Sequence, residues 1–128
     1  MISDLSGDCR FFVKYHLIWR PKLTAVDIFG PAQSALKEIL LALCSKYRYE
    51  VYSLEVHPTH IHILLSADPS VAPGDVIRTL KSLSAVSLFQ QFPALRSFYG
   101  RQGSLWEKRY LISTGDTIDA VLLREFLK

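Results

Sequence analysis

Glu50-Val51-Tyr52-Ser53-Leu54-Glu55-Val56-His57-Pro58-Thr59-His60-Ile61-His62-Ile63-Leu64-Leu65-Ser66-Ala67 is the stretch on which the fold turns. β-Branched and aromatic residues dominate it, so it reads as two strands, Tyr49–Val56 and His60–Ala67. A short connection around Pro58 joins them in the form of a hairpin. Side chains alternate along a strand, which puts His60 and His62 on one face and Ile61 and Ile63 on the other. Two imidazoles roughly 6–7 Å apart at Cα can converge on one divalent ion through their ring nitrogens. The plainer alternative is a pair of hydrogen-bonded or half-exposed rings. Burying two polar rings for packing alone is costly without partners, which favours the metal.

Upstream, Arg10–Trp19 has strand composition, and Pro21 limits its continuation. Pro31–Tyr47 opens with a proline suited to a first helical position and repeats Ala35, Leu36, Ile39, Leu40 and Leu43 at helical spacing. Downstream, Pro73–Gln91 reads as a second amphipathic helix ended by Pro93. Phe92–Gly103 reads as loop and Tyr110–Ser113 as a short strand. Asp116 to the end reads as a third helix capped by Thr114 or Asp116. The order β-α-β-β-α-β-α predicts an α+β fold. Its first six elements match the ferredoxin-like split β-α-β, an antiparallel four-stranded sheet with two helices on one face, and a C-terminal helix is added. Such a sheet keeps its second face for a site, although the fold alone licenses no function.

With 128 residues, the chain reads as a single domain, 1–128. Its 49% hydrophobic and 21% charged content exclude a disordered tail. No apolar run approaches the roughly 20 residues of a membrane span. The acidic start lacks the regions of a signal peptide, and Cys9 and Cys44 read as reduced thiols, so the expected location is cytoplasmic. Net charge is only +3 but unevenly spread: no acidic residue lies between Asp75 and Glu107, where Arg78, Lys81, Arg96 and Arg101 sit. That interval suits either a phosphate-facing surface or an ordinary solvated helix face.

Four segments together carry a resemblance. Tyr15-His16-Leu17-Ile18-Trp19-Arg20-Pro21-Lys22 resembles the opening strand of the single-tyrosine transposases of insertion-sequence-200 type elements, the TnpA-like proteins. Glu55 to His62 resembles their His-hydrophobic-His motif, Leu80 to Ala85 the start of their second-helix motif, and Leu105 to Thr114 their last strand. The order is right and nearly the whole chain is covered.

The resemblance implies a homodimeric enzyme acting on single-stranded DNA hairpins at insertion-sequence ends, with no membrane partner. It implies that His60 and His62 hold Mg²⁺ or Mn²⁺, and it makes Arg20, Lys22, Lys81, Lys108 and Arg109 candidates for DNA binding. In the family a tyrosine of the C-terminal helix attacks the scissile phosphate, and counting from Tyr110 puts that position at Phe126. Phenylalanine has no oxygen with which to form a phosphotyrosine. With Ile118 and Leu122 it also continues an apolar stripe, so packing explains it equally well. The family's remaining side-chain metal ligand usually lies one helical turn further on, past Lys128 in this register. Three functions follow: a strand-cleaving transposase, a DNA-binding derivative without cleavage, or a ferredoxin-like regulatory or small-molecule domain.

Overall fold

The computed structural model describes residues 13–22, 31–100 and 105–128. Its elements are β1 (Tyr15–Pro21), α1 (Pro31–Lys46), β2 (Glu50–Val56), β3 (Ile61–Ser66), α2 (Pro73–Gln91), α3 (Pro93–Gly100), β4 (Trp106–Thr114) and α4 (Ala120–Leu127). The strands form one antiparallel sheet in the order β2-β3-β1-β4. This is the expected split β-α-β arrangement with its added C-terminal helix.

Apolar alternation sets the pairing. In β1 and β3, Leu17 lies opposite Ile63 and Trp19 opposite Ile61, and all four are fully buried. They meet Leu36 and Leu40 of α1 and Ile77 and Leu80 of α2, which form the core on one side of the sheet. Trp106 of β4 closes that core at one end. Its ring packs edge-on to Trp19 at 5.8 Å, and its indole N–H donates to the Lys81 carbonyl and the Ser84 hydroxyl. The intervening residues His16, Ile18 and Arg20 necessarily belong to the opposite face of the sheet.

Local chemistry marks the element ends. α1 stops in a Schellman arrangement: Tyr49 N–H bonds the Cys44 carbonyl, Arg48 N–H bonds the Ser45 carbonyl, and Arg48 takes φ 62°. Between β2 and β3, His57 N–H donates to the His60 carbonyl at 2.9 Å and closes the turn around Pro58. After β4, Gly115 adopts φ 107°, a conformation that a side chain would strain, and donates to the Lys14 carbonyl.

Three expectations need correction. β4 runs nine residues from Trp106 rather than four from Tyr110, because its polar start Glu107-Lys108-Arg109 is acceptable on an edge strand. The ladder reaches Pro21 opposite Trp106 through a register shift after Trp19. Phe92–Gly103 is not all loop: Pro93 does not merely follow α2 but starts α3, where its missing N–H costs nothing. The last helix begins at Ala120, not Asp116. Its cap is Asp119, whose carboxylate accepts from the Val121 and Leu122 amides, while Asp116 pairs with Lys14. Arg10–Phe12, Cys9 and residues 101–103 lie outside the described residues.

Arg48 is a non-glycine residue in the left-handed region, so Arg48→Gly should stabilise the fold by about 1 kcal/mol in chemical denaturation. Unchanged or lower stability would contradict this account of the α1 end.

Candidate functional site

The sheet face away from α1 and α2 collects all four histidines of the sequence into two contacts. β1 and β3 are central neighbours, and Ile18 pairs with His62, so His16 on β1 stands diagonally beside His62 on β3. His16 Nδ1 and His62 Nε2 lie 2.9 Å apart, with the rings tilted at 55°. His60 and His62 belong to one face by alternation, but their rings have different neighbours. The His60 ring stacks on His57 at 4.5 Å, and its Nδ1 lies 2.9 Å from Thr59 Oγ1. His57 Nε2 in turn meets Glu55 Oε1 at 2.6 Å.

Burial favours the neutral form of both predicted ligands. It pushes His60 down to about 4, helped by the neighbouring His57 and His62 rings and by Arg20, with Glu55 opposing. His62 is lowered too, first by burial and then by His16. A hydrogen bond from His57 lowers the Glu55 carboxyl. Neutral imidazoles are the donor form a divalent cation requires, so the donor chemistry fits. Among the described residues, no three His, Cys, Asp or Glu side chains come together as a complete protein cage.

The C-terminal end of α4 is tied to this face by two arginines. Arg20 Nη1 donates to the Leu127 carbonyl at 3.2 Å, and Arg109 Nη2 donates to the Phe126 carbonyl at 3.3 Å. The Arg109 guanidinium also lies 5.0 Å from the centre of the Phe126 ring. Cations suit the orphan carbonyls at a helix C-terminus, and α4 has no buried residue. Phe126 thus sits beside Arg109 at the sheet end that also holds Arg20.

The remaining predicted DNA-binding cations lie elsewhere. Lys81 of α2 reaches across to the Glu107 carbonyl at 2.6 Å and lies over the Tyr110 ring. With Arg78 and Lys108 it borders a cavity of about 560 Å³ floored by Phe89 and Trp106, on the helix side of the sheet. Lys22 follows β1, its amide bonded to the Leu105 carbonyl. Arg20 and Arg109 therefore gather at α4, and Lys81 and Lys108 at the α2 cavity. Sequence reading gave His16 no role. Alternation grouped it with Ile18 and Arg20, but only the β1–β3 register puts it against His62.

A family model described as IS200-like transposase matches residues 9–127. The chain belongs to that transposase family. This transposase is 38% identical to the ISDra2 transposase TnpA of Deinococcus radiodurans over 103 residues, 80% of this chain and 72% of the relative. It is 30% identical to the transposase of insertion sequence element IS200 from Salmonella typhimurium, over 82% of this chain and 68% of that one. A crystal structure of a Deinococcus radiodurans transposase superposes with a TM-score of 0.82 at 29% identity, covering 95% and 94% of the two chains. A REP-associated tyrosine transposase bound to a REP hairpin shares the fold, with a TM-score of 0.57 at 10% identity over 96% and 68%. No described helix of the transposase is long and apolar enough to cross a membrane.

The depressed His60 value fixes a pH dependence. The folded state binds fewer protons than the unfolded chain between pH 6.5 and about 4, so stability present above 6.5 is lost as pH falls through that window. Thermal melts across it should show a falling melting temperature, with a shallower slope in His60→Gln. Equal slopes in the two proteins would contradict a buried neutral His60.

Proposed function

We propose that this protein binds single-stranded hairpin DNA at insertion-sequence ends as a homodimer, with Mg²⁺ or Mn²⁺ at His60 and His62, and forms no covalent link to the strand. Membership of the transposase family supports the DNA substrate, and the hairpin in the related REP complex supports its shape. The observation that carries the reading is Phe126: an aromatic ring without a hydroxyl, on the C-terminal helix that Arg20 and Arg109 hold to the histidine face.

In this reading each group has one task. His60 and His62, kept neutral by burial, supply nitrogen lone pairs to the cation. A divalent cation held by His60 and His62 would supply charge neutralisation to a phosphate of the bound strand. Arg20 and Arg109 orient α4 and present guanidinium groups to the DNA backbone, and Lys22, Lys81 and Lys108 add phosphate contacts. Phe126 takes the place of the family's nucleophile, and loss of a nucleophile costs on the order of 10⁶ in rate. β4 lies at a sheet edge with nine residues of backbone, and pairing with a second copy would cover that edge.

Hairpin binding should weaken with salt by a log–log slope of about −0.7 per phosphate contacted. With Mn²⁺ present, denaturing gels should show no protein–DNA adduct for the natural sequence. An adduct there would identify another nucleophile and reject the assignment of position 126, while salt-independent or absent hairpin binding would reject the DNA reading itself. Phe126→Tyr adds the missing hydroxyl, and its expected effect is an adduct that depends on Mn²⁺ and disappears in His62→Ala. Sedimentation at tens of micromolar, an order-of-magnitude working range, should show a dimer; a monomer would remove the edge-pairing proposal.

A further inference from the structure

The contact between His16 and His62 is not required by packing. His16 is 5% exposed, on a central strand, and its Nε2 has no hydrogen-bond partner among the described residues. A leucine would fill such a position without burying an unsatisfied nitrogen. What the histidine adds is one polar contact, its Nδ1 at 2.9 Å from His62 Nε2.

A neutral imidazole carries one N–H and one lone pair, so this contact needs one ring as donor and the other as acceptor. If His16 donated, the His62 Nε2 lone pair would be consumed and the His62 Nδ1 would carry the proton. Neither nitrogen of His62 could then take a cation. If His62 donates through Nε2–H, its Nδ1 lone pair is left for one. His60 follows the same logic: with Nδ1–H donated to the Thr59 hydroxyl, 2.9 Å away, the Nε2 lone pair remains. Metal-binding histidines characteristically anchor their second ring nitrogen in this way.

We propose that His16 is a positioning residue for His62, its Nδ1 accepting the His62 Nε2–H and thereby holding the ring in the tautomer whose Nδ1 binds a divalent cation. The inference rests on the reading of His60 and His62 as cation ligands. It adds a residue of β1 to the two on β3, and it assigns mixed ligation: Nε2 from His60 and Nδ1 from His62.

Two measurements test it. Long-range proton–nitrogen NMR of the imidazoles in the metal-free natural protein should find His62 protonated at Nε2 and His16 unprotonated at Nδ1. The reverse arrangement overturns the proposal without any variant having to fold. Mn²⁺ affinity, read by electron paramagnetic resonance on DNA-free protein, should fall on the order of 10- to 100-fold in His16→Leu. It should stay within a few-fold of the natural protein in His16→Asn, whose amide oxygen can stand in for Nδ1, with thermal melts confirming that both variants fold. Unchanged affinity in His16→Leu, or equal losses in both variants, overturns the positioning role. So does Zn²⁺ coordination by His16 itself in the nitrogen spectra. Binding that is lost in His60→Ala and His62→Ala but indifferent to position 16 overturns this inference alone. No binding by the natural protein overturns the metal reading with it.

Discussion

The antiparallel register between β1 and β3 is the constraint on which the rest of the molecule depends. It sets Leu17 against Ile63 and Trp19 against Ile61 under the two helices, and in doing so sets Ile18 against His62 on the other face. Because side chains alternate with period two, a slip of one residue would turn the buried isoleucines to the histidine face and the histidines into the core. Four fully buried apolar side chains oppose that slip, so the geometry of the histidines is held by hydrophobic burial on the opposite side of the sheet.

α4 is attached by different forces. None of its residues is fully buried, although Leu123, Phe126 and Leu127 are half-buried; to that partial packing are added the Asp119 cap and two guanidinium contacts to its last carbonyls. Of the two contacts the Arg109 one is exposed and the Arg20 one half-buried, and charge-assisted contacts near the surface are more sensitive to salt than core packing. The element that bears position 126 thus combines partial apolar packing with guanidinium contacts from Arg20 and Arg109.

Family membership and the proposed role of position 126 point in different directions, and both have a physical basis. The chain belongs to the IS200-like transposase family and has the sheet of a solved transposase. The ring at 126 retains the apolar part of a tyrosine and rests against Arg109, as a tyrosine ring also could, so nothing in the packing demands the hydroxyl. In the proposed register, phenylalanine keeps the ring and lacks only the hydroxyl, so the fold can stand intact whatever the chemistry at that position.

Much of the architecture could be read from residues alone because its signals are local. Alternation in Glu50–Ala67, the helical spacing in 31–47 and 73–91, and the turn at Pro58 each operate over a few residues, and they sufficed for the α+β order and for placing His60 and His62 on one face. The extent of β4 showed only in the resemblance of Leu105–Thr114 to the family's last strand and not in local pattern, because a polar edge strand such as Glu107-Lys108-Arg109 is stabilised by pairing with β1. The start of α3 at Pro93 was hidden by a residue that both ends and begins helices. The partnership of His16 with His62 joins positions 46 residues apart, and the clasp of Arg20 on Leu127 joins positions 107 apart. Contacts so distant in the chain leave no periodic trace, since they exist only when the buried face of the sheet has chosen its register.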